Sequence, residues 1–270
     1  MADPVITFLS DYGLEDDFVG VCHGVIASVC PQARVIDITH GISRHDVRAG
    51  ALVLREALEY MPVGVHVAVV DPGVGGERRA LALRLRDRRV LVGPDNGLLW
   101  PAAQAGGGVA DAVDIGRSRF VLEPVSATFH GRDIFAPVAA RLAAGAELVA
   151  AGEPCEAGSL VALELPAARV EGDVLVAHVL YIDRFGNLGL DAGREALAAI
   201  RARRGAALTL KVGRPEDFEC RVVRTFGEAG ADELLVYEDS YGRLAVAVRE
   251  GSAAQRLGAG VDDELRIRRP

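Results

Sequence analysis

Cysteine is scarce in this sequence, which argues against a disulfide-stabilised protein and against a cysteine-based zinc module. The four cysteines among the 270 residues are Cys22, Cys30, Cys155 and Cys220, and they form no CxxC pair and no zinc-type spacing. Isolated thiols are typical of a reducing compartment, where disulfides seldom persist. The sequence therefore predicts free cysteines rather than a disulfide framework or a zinc module.

Positive charge and long apolar runs are also lacking. There are 30 basic and 38 acidic residues, which give a formal net charge of -8, and the arginines are scattered. Binding to a phosphate backbone needs clustered Lys and Arg, so we expect no nucleic-acid partner. No stretch of about 20 residues is free of charged and turn residues, and no basic-then-apolar leader opens the chain. We expect a cytoplasmic protein with no membrane partner.

Apolar runs alternate with helical patterns in the first part of the chain. The runs at 5–9, 34–38 and 65–70 read as strands, and an apolar face with helical spacing starts at Phe18. A second helix is expected after Asp46, a residue suited to capping. This β-α-β-α-β order predicts an α/β fold with a mainly parallel sheet and flanking helices.

The pattern changes after about residue 150. Irregular sequence gives way to strand-like runs, while only 194–204 looks helical. The predicted strands are 174–182, 208–212, 219–225, 233–237, 243–248 and 264–267. We therefore expect an α/β domain over 1–152, a linker over 153–169 and a smaller β-rich, barrel-like domain over 170–270.

Polar loops directly follow three of the predicted strands. They cover 10–17 after the run at 5–9, 71–79 after the run at 65–70, and 93–97 after a further strand-like run at 90–92. A fourth polar cluster at 128–133 precedes a predicted helix over 134–142. Ligands of open α/β sheets bind beyond the carboxyl ends of the strands. Each loop also has a purely structural interpretation as a turn, and the glycines of 71–79 lack both the GxGxxG spacing and the Walker lysine. Local sequence thus predicts an enzyme without naming its substrate.

His130 differs from the other histidines because Gly131 and two charged residues follow it at a predicted helix start. His66 lies within a strand and is expected to be structural. Four more have no obvious partner in the sequence: His23, His40, His45 and His178.

Seven short segments, taken together and in order, resemble the S-adenosyl-L-methionine (SAM) hydroxide adenosyltransferase family, also called SAM hydrolases. The family is related to the fluorinase and chlorinase enzymes, and the resemblance runs essentially end to end. The segments are FLSDYG at 8–13, VVDPGVG at 69–75, GPDNG at 93–97, TFHGRD at 128–133, IDRFGN at 182–187, DSYG at 239–242 and GSAA at 251–254.

The resemblance implies hydrolysis of SAM to adenosine and L-methionine, with Asp71, Arg78 and His130 as the catalytic residues around the attacking water. The fluorinase-type pattern has a tyrosine at the places of Asp71 and His130 and a serine at the place of Gly131. These departures favour water over halide as the nucleophile. Either Asp71 or His130 would accept the proton of water.

The resemblance also implies how the substrate is held. Asp11 and Asp16 would bind the ribose, Asp183, Phe185 and Asn187 the methionine and adenine ends, and Ser240 the methionine carboxylate. No metal or other cofactor is implied, because SAM itself is the substrate. The family forms homotrimers, so the β-rich domain would complete the site of a neighbouring subunit.

Two alternatives stay open on the sequence. One is a SAM-dependent halogenase with chloride or fluoride as nucleophile. The other is a non-catalytic protein that binds adenosine or SAM, which Asp11 and the loop glycines alone would permit. A different adenosyl sulfonium would also suit the same residues.

Overall fold

Strands and helices alternate along the first third of the chain, as the apolar periodicity predicts. The computed structural model describes residues 3–213 and 216–270. The elements in this stretch are β1 (Val5–Ser10), α1 (Phe18–Val29), β2 (Arg34–Thr39), α2 (Val47–Leu58) and β3 (Val65–Val69). Helix α2 begins after Asp46, whose carboxylate accepts the N–H of Ala49 at 2.9 Å and so caps the first turn.

Antiparallel strands complete this sheet. The further elements of the first unit are β4 (Ala80–Leu85), β5 (Val90–Pro94), α3 (Trp100–Ala105), β6 (Val109–Asp114), α4 (Ala136–Ala143) and β7 (Glu153–Pro154). Within the described residues the strand order is β2-β1-β3-β5-β4-β6-β7. The four strands β2, β1, β3 and β5 are parallel, and the others pair antiparallel.

The two faces of this sheet carry separate hydrophobic cores. Phe8 belongs to the cluster under α1 and α4, and its neighbour Leu9 belongs to the cluster under α2 and α3. Successive side chains of a strand point to opposite faces, so a run of apolar residues fills both layers. The sheet is therefore covered on both sides, which leaves its loops as the exposed place for a ligand.

Residues 153–163, which the sequence analysis assigned to a linker, pack against this first unit. Arg79 Nη1 donates to Ser159 Oγ at 2.9 Å, and the N–H of Val161 donates to Asp95 Oδ1 at 2.9 Å. The chain divides into two compact units between Leu163 and Glu164.

The second unit is a closed barrel. Its elements are β8 (Arg169–Glu171), β9 (Val174–Ile182), β10 (Leu188–Gly193), α5 (Arg194–Ala199), β11 (Ala207–Val212), β12 (Phe218–Val222), β13 (Leu234–Glu238), β14 (Arg243–Val248), α6 (Ala253–Leu257) and β15 (Glu264–Arg268). Among the described residues, seven strands run in the order β10-β14-β13-β12-β11-β15-β9, and pairing of β9 with β10 closes the ring. Alternate residues such as Leu175, Ala177 and Val179 fill the interior. The predicted fold class is confirmed.

Several single elements differ from the predictions. Strands β6, β7, β8 and β10 and helices α3 and α6 were not predicted, and the helix expected over 194–204 ends at Ala199. A five-residue π-helical turn, Gly131–Phe135, precedes α4. No helix within 3–213 and 216–270 combines the length and apolarity that crossing a bilayer requires.

Candidate active site

A pocket of about 600 Å³ opens at the carboxyl ends of the parallel strands β1 and β3. The loops after β1, β2 and β3 line it, together with residues 128–131. Its lining includes Asp11, Asp16, Asp71 and His130. Because neighbouring parallel strands end at one edge of the sheet, three loops distant in sequence meet there. The volume lies within the range of small-molecule sites.

Asp71 and Arg78 form a bidentate ion pair at the end of β3. Arg78 Nε donates to Oδ1 and Oδ2 of Asp71 at 3.0 and 3.1 Å, and Arg78 Nη2 also contacts Oδ2. The side chains are only 11% and 5% exposed, so the pair lies largely out of water, and the guanidinium lies over the ring of Phe135. A planar guanidinium held at several points fixes the orientation of the carboxylate.

His130 completes the cluster. Arg78 Nη2 lies 2.7 Å from His130 Nδ1. A guanidinium has no acceptor, so Nδ1 must be the unprotonated nitrogen of the ring. Burial, followed by the positive charge of Arg78, lowers the pKa of His130 below 6.5. Both features favour a neutral imidazole whose proton is on Nε2.

A close approach of two backbone segments explains why the loop after β3 carries glycine at residue 75. Gly75 has φ +75, and a Cβ there would collide with the carbonyl oxygen of Ala127. The loop after β3 therefore lies directly against the segment that leads to His130. That segment is fixed by Asp133, which accepts the N–H of Ser126 at 2.9 Å.

Asp11 and Asp16 lie on the other side of the same pocket. Asp11 Oδ2 accepts the N–H of His45 at 2.9 Å, and this bond joins the loops after β1 and β2. Asp16 is exposed at the rim. The carboxylate of Asp11 keeps further lone pairs for hydroxyl donors.

Aromatic side chains to which the sequence assigned no role in the site form a wall beside Asp11. Tyr12, Phe18 and Phe129 pack edge to face or tilted, with ring centroids 5.0 to 5.9 Å apart. Burial raises the pKa of Tyr12 well above its usual value, so its hydroxyl stays protonated. A Cβ at Gly131 would collide with that hydroxyl. Tyr12 and Gly131 both lie within the recognised motifs, but only the fold brings them into contact.

The loop at 93–97 has a structural role. Asp95 forms an ion pair with Arg79, and Asn96 Nδ2 donates to the carbonyl of Val70 at 2.9 Å. These bonds brace the end of β3 and the start of the loop that bears Asp71.

The remaining predicted substrate residues lie in the second unit. Asp183 organises the turn between β9 and β10: its Oδ1 accepts the N–H groups of Phe185 and Asn187 at 2.8 and 2.9 Å, and its Oδ2 accepts Asn187 Nδ2 at 2.8 Å. This turn leaves the ring of Phe185 70% exposed. Ser240 is exposed in the turn between β13 and β14, beside Asp239.

Models of one family match both units of the chain. The SAM hydroxide adenosyltransferase N-terminal domain matches residues 6–152, and the C-terminal domain of the same family matches 177–266.

Individual relatives cover nearly the whole chain. An (R)-S-adenosyl-L-methionine hydrolase of Salinispora tropica is 50% identical, over 98% of this chain and 97% of its own length. A fluorinase of Nocardia brasiliensis is 28% identical, over 98% and 97%. The solved structure of an uncharacterized conserved protein from Thermotoga maritima superimposes with a TM-score of 0.91 at 36% identity, and covers 98% of this chain and 100% of that one.

Proposed function

Because the chain belongs to the SAM hydroxide adenosyltransferase family, we propose that it hydrolyses SAM to adenosine and L-methionine. The observation that carries this function is the partly buried cluster of Asp71, Arg78 and His130, hydrogen-bonded in series at a pocket of about 600 Å³. A carboxylate, a cation and a neutral imidazole at one spot suit the activation of one water molecule.

The reaction is a displacement at C5′ of SAM. An oxygen–C5′ bond forms as the C5′–sulfur bond breaks, and the electron pair of the broken bond goes to sulfur. Methionine leaves as a neutral thioether, so the leaving group needs no proton. Water is a poor nucleophile until it loses a proton, and general-base help contributes about 10²–10⁴ in rate. Holding water in line with C5′ contributes at least as much.

Asp71 is the base in this proposal. His130 Nδ1 already accepts a hydrogen bond from Arg78, and the neutral ring carries its proton on Nε2. His130 would therefore hold the oxygen of water as a donor, and Asp71 would take the proton. Arg78 would orient the carboxylate and stabilise negative charge that develops on the oxygen.

The substrate would be held by both units. Asp11, with Asp16 beside it, would accept the ribose hydroxyls. Asp183, Phe185 and Asn187 would bind the methionine and adenine ends, and Ser240 would contact the methionine carboxylate. The exposure of Phe185 supports this role, since an aromatic ring that is 70% exposed has area to offer a purine.

We also propose a cytoplasmic homotrimer in which the second unit serves a neighbouring subunit, with no cofactor needed for hydrolysis and no nucleic-acid or membrane partner. Light scattering should give three chains. Mixed trimers of Asp71→Asn and Phe185→Ala chains should be more active than the mean of the two parents, because some sites would then have both native residues.

Hydrolysis is favoured over the halogenase alternative. Gly131 stands where the halogenase pattern has serine, and the hydroxyl of Tyr12 occupies the space that a side chain there would need.

The deciding experiment is a turnover assay of the purified chain with SAM in ¹⁸O-labelled water. We expect adenosine with one ¹⁸O in its 5′-hydroxyl, and loss of turnover in Asp71→Asn without loss of adenosine binding. A 5′-chloro nucleoside formed in chloride would establish a halogenase. Binding of adenosine without any turnover would establish a non-catalytic protein.

A further inference from the structure

Three side chains outside the catalytic cluster meet at the edge of the first sheet. Asp37 lies on β2, His40 follows the end of β2 and His23 lies on α1. Asp37 Oδ1 lies 2.9 Å from His23 Nε2 and 3.1 Å from His40 Nε2. One ligand atom from each residue lies within 4.8 Å of the other two.

The two separations from Asp37 Oδ1 are close to those within a metal coordination shell. Ligand atoms at 2.0–2.1 Å from a tetrahedral Zn²⁺ are about 3.3 Å apart, and those at neighbouring corners of an octahedral ion are about 2.9 Å apart. The two distances to Asp37 Oδ1 therefore need to change by only a few tenths of an ångström. Two imidazoles and one carboxylate are a ligand set that zinc prefers.

The state of His40 points to a missing ligand. The residue is only 4% exposed, and its Nδ1 lies 2.7 Å from Ser10 Oγ. Its Nε2 is buried without a hydrogen-bond partner: Asp37 Oδ1 is near enough, but its direction does not suit an N–H bond. With the proton on Nδ1 and donated to Ser10, Nε2 presents a lone pair toward the cluster. This is the arrangement in which a histidine binds metal while a neighbour fixes its other nitrogen.

Solvent can reach the cluster from one side. The side chains of His23 and Asp37 are 36% and 39% exposed, whereas that of His40 is 2% exposed. An ion could enter past His23 and keep water at its remaining positions. A simple ion pair explains the contact of His23 with Asp37, but it leaves the buried nitrogen of His40 unsatisfied.

We propose that His23, Asp37 and His40 bind one zinc ion that stabilises the fold beside the substrate pocket. The carbonyl of His40 accepts the N–H of Gly13 at 2.8 Å, in the loop that carries Asp11. The ion would thus fasten α1, β2 and this loop together. It takes no part in the displacement at C5′, which the cluster around Arg78 performs.

The test is a zinc titration of the chain after treatment with a chelator, followed by competition with a chromophoric chelator. We expect one zinc per chain bound at micromolar free zinc. His23→Gln and Asp37→Asn should each weaken binding at least about 10-fold. At a zinc concentration a hundredfold above the Kd of the native chain, Tm of the native chain should rise by at least about 5 °C, and Tm of His23→Gln should rise by about half as much or less.

The matched control is His178→Gln. His178 Nδ1 lies 2.7 Å from Asp191 Oδ2, so it is a histidine–carboxylate pair in the second unit outside the three-residue cluster. Its replacement should leave the zinc affinity unchanged. Absence of stoichiometric binding by the native chain, or equal binding by native chain, His23→Gln and Asp37→Asn, would overturn the proposal. Because neither readout uses SAM, the result is independent of hydrolysis.

Discussion

The approach of Tyr12 to Gly131 allows a test of how His130, the proposed catalytic histidine, is positioned. A Cβ on residue 131 would collide with the Tyr12 hydroxyl, whereas the ring carbons Cζ and Cε2 would lie 3.1 and 3.3 Å away. In Gly131→Ala the tyrosine, the π-helical turn or His130 must therefore move. In Tyr12→Phe with Gly131→Ala the severe contact is removed, and only a tight one remains.

Overpacking of this kind costs about 1–3 kcal/mol in the free energy of unfolding. We expect Gly131→Ala to lower the free energy of unfolding by that amount. It should also lower kcat about 10–100-fold, because the neighbouring residue His130 is displaced. The double variant Tyr12→Phe, Gly131→Ala should be more stable, by about 1 kcal/mol or more in the free energy of unfolding, than the sum of the two single changes predicts. Urea unfolding of the four proteins of this double-mutant cycle, with adenosine formation as the second readout, gives both numbers.

Gly24→Ala is the matched control for the cycle. Gly24 lies on the exposed face of α1, and a Cβ there meets no atom within 4 Å. This change should be neutral or stabilise by up to about 1 kcal/mol, since alanine favours a helix. Strict additivity of the Tyr12 and Gly131 changes would show that the hydroxyl does not limit the space at residue 131, and the reasoning would fail.

Three other outcomes follow from the same geometry. Asp71→Asn should lower kcat by about 10²–10⁴ with little change in adenosine affinity, measured by initial rates and calorimetry; an unchanged kcat would rule out Asp71 as the base. Burial and the charge of Arg78 lower the pKa of His130, so the acid limb of kcat/KM should lie below pH 6.5. Arg78→Gln should move this acid limb to higher pH, and Arg78→Lys should move it less. Burial, followed by the charge of Arg89, lowers the pKa of His66 to about 4. The unfolded chain therefore takes up the proton first, and about 3 kcal/mol of stability should be lost between pH 6.5 and 4; urea unfolding of His66→Gln should lack this part of the slope.

Periodicity in the sequence predicted the elements that bury a regular apolar face. Helices α1 and α2 and strands β1 to β3 are found where the spacing indicates, because each must present apolar side chains to a shared core. Strand β10 contains two glycines and was missed, although its pairing with β9 closes the barrel. The helix predicted over 194–204 ends early, and Arg201 has φ 56, which no α-helix continues through.

The candidate site was predictable to the extent that it is local or follows a family pattern. Asp71 and Arg78 lie seven residues apart in one loop, and His130 was identified through its motif. The contacts that only folding creates were not predictable. His23 and His40 have no evident partner in the sequence because α1 and β2 bring them to Asp37.

Residues 153–163, the last segment of the first unit, determine where a fragment that contains only this unit should end. A fragment cut at residue 152, where the family's domain match stops, would forfeit the bonds from Ser159 and Val161 to Arg79 and Asp95. Arg79 ends the loop that bears Asp71 and pairs with Asp95, so the shortened fragment would hold that end of the loop less firmly. Ending the fragment at Leu163 keeps these hydrogen bonds, because the division between the two units falls after that residue.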